Sequence, residues 1–148
     1  MKQIYPCFVR LLDGSPRPFQ LTDDFIFRTP IMGYMVRSDF YSLDPDGRLR
    51  IFTGYCWDLG TMAIDDPAMV VASLEHDAFC DMCNVGELDY GLRPRIDTHF
   101  RKRLQDRSRS WMGKSWAWTR YTGVVLYRKL NITRHIGFIS HRKLNFWD

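Results

Sequence analysis

The sequence contains no hydrophobic run long enough to cross a membrane. Its apolar runs are short, as at Gly123–Tyr127, whereas a spanning helix needs about 20 apolar residues. The first ten residues also lack the apolar segment of a secretory signal peptide, because Tyr5, Pro6 and Arg10 interrupt it. The sequence therefore predicts a protein that has no transmembrane segment and is not secreted by a signal peptide.

Cysteine is scarce, with four residues in the chain: Cys7, Cys56, Cys80 and Cys83. In a chain of 148 residues that can bury a core of its own, four cysteines without an export signal do not favour a disulfide framework. Internal repeats, low-complexity tracts and linker-like segments are also missing. Length and composition together predict one domain over residues 1–148 with reduced thiols.

The charge is divided unevenly along the chain. Residues 1–92 hold 7 Lys and Arg against 14 Asp and Glu, a net charge of −7, whereas residues 93–148 hold 14 against 3, a net charge of +11. The basic C-terminal half also interleaves its cations with aromatic residues, which suits single-stranded nucleic acid or an anionic lipid surface. The alternative is that the aromatic residues are core and that the two halves attract each other within one fold.

Residues 1–62 are predicted to be rich in short strands. Val9–Leu12, Phe25–Arg28 and Arg48–Phe52 are bounded by turn residues, the last of them by the cluster Asp44–Gly47. Because these segments are short and closely spaced, the pattern favours an antiparallel meander. This half of the chain is expected to supply a small antiparallel sheet.

A helical segment is predicted over residues 65–129. Asp65 or Asp66 can cap a first helix that begins at Pro67, continues without Gly or Pro through Met82 and ends near Asn84–Gly86. A second helix is predicted over 94–107 and a third over 110–129, before a basic tail at 130–148. The predicted inner face of the second helix is Ile96, Asp97, Phe100 and Leu104. The fold class expected is α+β, with the N-terminal sheet packed against about three C-terminal helices.

The first helix carries an adjacent histidine and aspartate, His76 and Asp77. Neighbouring helical residues diverge by about 100° around the axis, so one side chain can meet a substrate while the other reaches a different group. This division suits a His as general base and an Asp as metal ligand. A base needs a partner that fixes its tautomer, and Asp97 is the candidate because its face of the second helix points inward. A purely structural ion pair of Asp97 with an arginine is the alternative.

Three segments in order resemble a bacteriophage family called domain of unknown function 1353: Gly54–Thr61, then His76-Asp77, then Ile96–Phe100. They match that family's Gly-aromatic-x-x-Asp-Leu turn, its helical His-Asp and its later Asp-x-x-Phe, and the similarity covers roughly residues 48–128. The resemblance implies a phage-encoded protein of the host cytoplasm or the virion. The family has no established activity, so its motif does not assign a reaction.

The same motif is similar to that of phospholipase A2 enzymes. This resemblance implies that His76 is the base, that Asp97 orients it, that Asp77 binds calcium and that Asp58 is a second ligand. Cys80 stands where the family and the lipases have Tyr. Calcium takes six to eight oxygen ligands, so backbone carbonyls would have to complete such a site.

A zinc site is the competing interpretation of the first helix. His76, Cys80 and Cys83 are spaced by four and three residues, which places three zinc-type ligands on one helical face, and Cys56 or His99 could be the fourth. The alternative is that these cysteines are ordinary buried thiols.

These observations lead to three expectations about function, of which the third is a nucleic-acid-binding module that uses the basic C-terminal half. The first is a phage-encoded accessory hydrolase with a phospholipase-like His-Asp site, acting on lipid. The second is a non-catalytic virion or host-interaction protein in which the same polar cluster is structural and the partner is another phage or host protein.

Overall fold

A computed structural model describes residues 5–58 and 67–107. These two ranges belong to two compact units, with the division in the chain between Thr61 and Met62. The division falls where the sequence predicts the change from strands to helices. The described part of the first unit is made of strands, and that of the second is made of helices.

A three-stranded antiparallel sheet contains β1 (Phe8–Arg10), β2 (Phe19–Leu21) and β7 (Cys56–Trp57), in the order β1-β2-β7. β2 lies in the centre and is buried along its whole length. Its partner β7 comes from more than 30 residues later, so this sheet depends on a long-range pairing that local turn residues do not reveal.

A four-stranded antiparallel sheet contains β3 (Phe25–Arg28), β4 (Val36–Arg37), β5 (Tyr41–Leu43) and β6 (Arg48–Ile51), in the order β3-β6-β5-β4. Buried and exposed residues alternate strictly along β3 and β6. One face of this sheet is therefore buried, as is common for antiparallel sheets.

The turn before β6 requires a glycine. Gly47 has a φ of 80°, in the left-handed region. Its carbonyl accepts a hydrogen bond from the backbone N–H of Thr29, and a Cβ at this position would lie 2.4 Å from the carbonyl oxygen of Thr29. The sequence predicted a turn here, and the close approach of β3 explains why its last residue is Gly.

The second unit contains helix α1 (Pro67–Asn84), a short 3₁₀ helix (Tyr90–Leu92) and helix α2 (Arg93–Arg107). α1 ends where predicted. Gly86 has a φ of 81°, and the N–H groups of Gly86 and Glu87 close the last turn on the carbonyls of Cys83 and Met82. Neither helix is both long and apolar enough, over the residues described, to pass through a membrane.

Several expectations are refined by the structure. The α+β class and the antiparallel pairing are confirmed, but the described strands form two sheets rather than one, because β7 pairs with β2 and β3 pairs with β6. α2 begins at Arg93, one residue before the predicted start. The third helix, at 110–129, and the tail at 130–148 lie outside the described residues. The packing of a sheet against the helices stays a prediction.

Candidate active site on helix α1

Helix α1 is buried on almost every side. Of its residues from Ala68 to Cys83, all but Asp77 and Cys80 are buried. These two are three positions apart and therefore share one face of the helix. The partly exposed stretch of α1 thus lies next to His76.

The imidazole of His76 binds a carboxylate of α2. Its Nε2 lies 2.9 Å from Oδ1 of Asp97, and both side chains are buried, with Asp97 fully so. The ring also packs against Phe100, with the two ring centroids 4.7 Å apart. Asp97 is on the predicted inner face of α2, where Ile96, Phe100 and Leu104 are also buried. The expected contact between His76 and Asp97 is present, and the roles of the two residues in a reaction stay predictions.

Asp77 and Cys80 also approach the imidazole. Nδ1 of His76 is 3.7 Å from Oδ1 of Asp77. The Sγ atom of Cys80, one helical turn after His76, is 3.6 Å from each of the two ring nitrogens. If the carboxylate of Asp97 accepts the Nε2–H, the lone pair lies on Nδ1, on the side of the partly exposed residues.

These neighbours favour the charged form of a buried imidazole. Burial by itself disfavours the imidazolium, but electrostatic interaction with Cys80 and the carboxylates of Asp77 and Asp97 raise the pKa of His76 well above its ordinary value. The folded surroundings therefore favour the imidazolium, the form that develops when His76 accepts a proton.

Arg93, the first residue of α2, is a second buried cation beside this cluster. It is 2% exposed, and within the described part of the chain its Nε and Nη1 have no hydrogen-bond partner. Burial disfavours its charge, yet Cys80, Asp97 and Cys83 raise the pKa of Arg93. Each unsatisfied buried donor costs about 1–3 kcal/mol. Arg93 was not among the predicted site residues, although its position one turn before Asp97 is a signal that it shares that residue's face.

A second polar link between α1 and α2 was not predicted. Glu75 is buried, and its Oε1 lies 2.9 Å from Nε2 of His99, while its Oε2 lies 2.7 Å from Nε of Arg103. This link gives His99, the possible fourth zinc ligand, a carboxylate partner instead.

The remaining predicted zinc ligand, Cys83, is a packed thiol. It is 5% exposed, and its Sγ donates to the backbone carbonyl of Asp89 at 3.7 Å. Burial, with a contribution from Cys80, raises the pKa of Cys83 to about 12, so this thiol resists forming the thiolate that a metal requires. Across residues 5–58 and 67–107, no group of three or more His, Cys, Asp or Glu side chains is arranged to hold a metal ion.

The predicted calcium ligands, Asp77 and Asp58, are likewise not part of any such metal-binding group among the described residues. Asp77 lies beside His76 in the second unit, whereas Asp58 is the last described residue of the first unit. The convergence of Asp58 with His76 therefore stays a prediction. The basic residues of the predicted polyanion surface lie mostly at 108–148, outside the described residues.

Comparisons with protein-family models, with curated proteins and with solved structures found no match to this chain. The resemblance to the phage family stays a prediction from the motif. The chemistry of the cluster around His76 is therefore the basis for any statement about function.

Proposed function

We propose that the chain is a hydrolase of carboxylic esters, and that it is a phage-encoded accessory protein in which His76 is the general base. The observation that carries the proposal is the 2.9 Å separation of Nε2 of His76 from Oδ1 of Asp97. A carboxylate on one imidazole nitrogen leaves the other nitrogen to accept a proton. That second nitrogen, Nδ1, lies 3.7 Å from Asp77, a residue of the partly exposed face of α1.

In this reaction Nδ1 of His76 takes a proton from the attacking nucleophile. The attacking atom bonds to the carbonyl carbon of the ester, the carbon–oxygen bond to the alcohol breaks, and the imidazolium returns the proton to the departing alkoxide. Asp97 does not exchange a proton in this scheme. It fixes the tautomer and stabilises the imidazolium, which is the role of the buried carboxylate in His-dependent hydrolases.

The test compares two histidines that each form a hydrogen bond with a buried carboxylate. His76 and His99 both belong to the helical unit, and each has its Nε2 2.9 Å from a buried carboxylate oxygen. His76→Asn is expected to lower hydrolysis of p-nitrophenyl butyrate by about 10²–10⁴-fold, the usual contribution of a general base. His99→Asn serves as the control and is expected to retain most of the activity.

A non-catalytic role is the second candidate, and one observation favours it. The His76–Asp97 bond and the Glu75–His99–Arg103 cluster both connect α1 with α2 through buried polar groups. Two such links would hold a helix pair together without any reaction, as in a virion or host-interaction protein. In that case His76→Asn and His99→Asn would both lower the free energy of unfolding, and purified wild-type protein would hydrolyse neither p-nitrophenyl butyrate nor phospholipid vesicles.

A further inference from the structure

Cys80 and Asp97 both contact the imidazole of His76. The thiol sulfur is 3.6 Å from the imidazole nitrogens, and the imidazole is 2.9 Å from the buried carboxylate. A thiol beside an imidazole that is itself oriented by a carboxylate is the arrangement that activates a cysteine nucleophile. Cys80 is also partly exposed, unlike Cys83 on the same helix. It is therefore the thiol of α1 that a reagent can reach.

Arg93 supplies an independent observation about the ligand. The residue is 2% exposed and lies one helical turn before Asp97, and two of its side-chain nitrogens have no acceptor within the described part of the chain. A buried cation with unsatisfied N–H groups is stabilised by an anion that accepts from them.

We propose that Cys80 is the nucleophile of this site and that Arg93 binds an anionic group, a carboxylate or phosphate, on the ester that Cys80 attacks. The reaction class rests on the hydrolase proposed above. The reactivity of the thiol and its preference for anions do not rest on it, and they can be measured separately.

The thiol first gives its proton to the imidazole of His76. The sulfur then forms a bond to the ester carbonyl carbon, the carbon–oxygen bond to the alcohol breaks, and the departing alkoxide takes the proton from His76. Water next adds to the thioester carbon and gives a proton to His76, after which the carbon–sulfur bond breaks. The sulfur recovers that proton, so one ester and one water have become one acid and one alcohol.

The first experiment measures alkylation of wild-type protein at pH 7 with iodoacetamide, which is neutral, and with iodoacetate, which is anionic. Tandem mass spectrometry follows Cys80 and, as an internal reference, the exposed thiol Cys7. Cys80 is expected to react with iodoacetamide about ten-fold faster than Cys7, because the imidazole withdraws its proton. A rate at Cys80 equal to or below that at Cys7 would overturn its role as nucleophile.

The second comparison tests Arg93 through the ratio of the iodoacetate rate to the iodoacetamide rate. This ratio is expected to be about ten-fold higher at Cys80 than at Cys7, because the guanidinium binds the reagent's carboxylate. Arg93→Met should abolish the difference, whereas Lys102→Met, which removes an exposed positive charge from the same helix, should leave it. Equal ratios at both thiols of the wild-type protein would refute the anion site.

Hydrolysis separates this proposal from the one on which it rests. Loss of p-nitrophenyl butyrate hydrolysis in both Cys80→Ala and His76→Asn supports Cys80 as nucleophile. Full hydrolysis in Cys80→Ala with loss in His76→Asn would leave the hydrolase standing and overturn the role of Cys80. Fast, anion-selective alkylation in a protein that hydrolyses no ester supports the reactive thiol and the anion site while it contradicts the hydrolase.

Discussion

Nε2 of His76 and Oδ1 of Asp97 lie 2.9 Å apart, although the two residues are 21 positions apart in the chain. One comes from the middle of α1 and the other from the second turn of α2. A bond between a buried imidazole and a buried carboxylate affects both stability and proton transfer, and the two effects respond differently to pH and to substitution.

Asp97→Asn is expected to change the pH profile of ester hydrolysis. Asp97 helps to raise the pKa of His76, and water activation needs the neutral imidazole. Removal of the carboxylate charge should therefore shift the rising limb of kcat/KM to lower pH, while the maximal rate falls because the imidazolium formed in the transition state loses its partner. A profile with an unchanged limb would contradict the assignment of that limb to His76.

The free energy of unfolding is expected to fall as the solution becomes alkaline. His76 has a higher pKa in the folded protein than in the unfolded chain. Its stabilising contribution is therefore complete below the unfolded value of about 6.5 and is lost as pH rises through the folded value. Urea denaturation between pH 6 and 9 measures this slope, and His76→Asn should flatten it. If the free energy of unfolding of the variant falls equally steeply with pH, the pH dependence comes from other groups.

Cys83 is expected to stay unmodified while the protein is folded. Because burial raises the pKa of its thiol to about 12, little thiolate exists at pH 9, and Sγ is also held against the carbonyl of Asp89. Iodoacetamide at pH 9 should label Cys83 in urea and spare it in buffer. Rapid labelling of Cys83 in buffer would show that this end of α1 opens.

Among replacements of a carboxylate by the corresponding uncharged amide in the helical unit, Glu75→Gln is expected to lower the free energy of unfolding most. The charge is buried and bound by His99 and Arg103, and loss of one partner from such a cluster costs about 3 kcal/mol. Asp46→Asn is a suitable control, because it breaks the exposed Asp46–Arg28 ion pair and should have little effect. Urea denaturation of both variants provides the comparison, and equal losses would argue against the buried cluster as a main source of stability.

The sequence by itself determined the local features of this protein. The strand Phe25–Arg28, the turn at Gly47 and the bounds of α1 follow from alternation, from glycine and from proline, all of which act over a few residues. The inward face of α2 followed from helical spacing, and with it the prediction that Asp97 meets His76. A buried carboxylate needs a hydrogen-bonding or charged partner, and this requirement limited the candidate partners of Asp97 before any distance was known.

Tertiary structure alone decided the rest. The pairing of β2 with β7 depends on residues far apart in sequence, and no local signal reports such a contact. The burial of α1 on nearly all sides, which leaves Asp77 and Cys80 as the accessible residues between Ala68 and Cys83, depends on what surrounds the helix rather than on its own pattern. The burial of Arg93 also depends on its surroundings, because from the sequence alone this arginine would be expected to be exposed to solvent. Its burial makes it a candidate ligand-binding group, because an N–H group without an acceptor is energetically costly in the low-polarity interior.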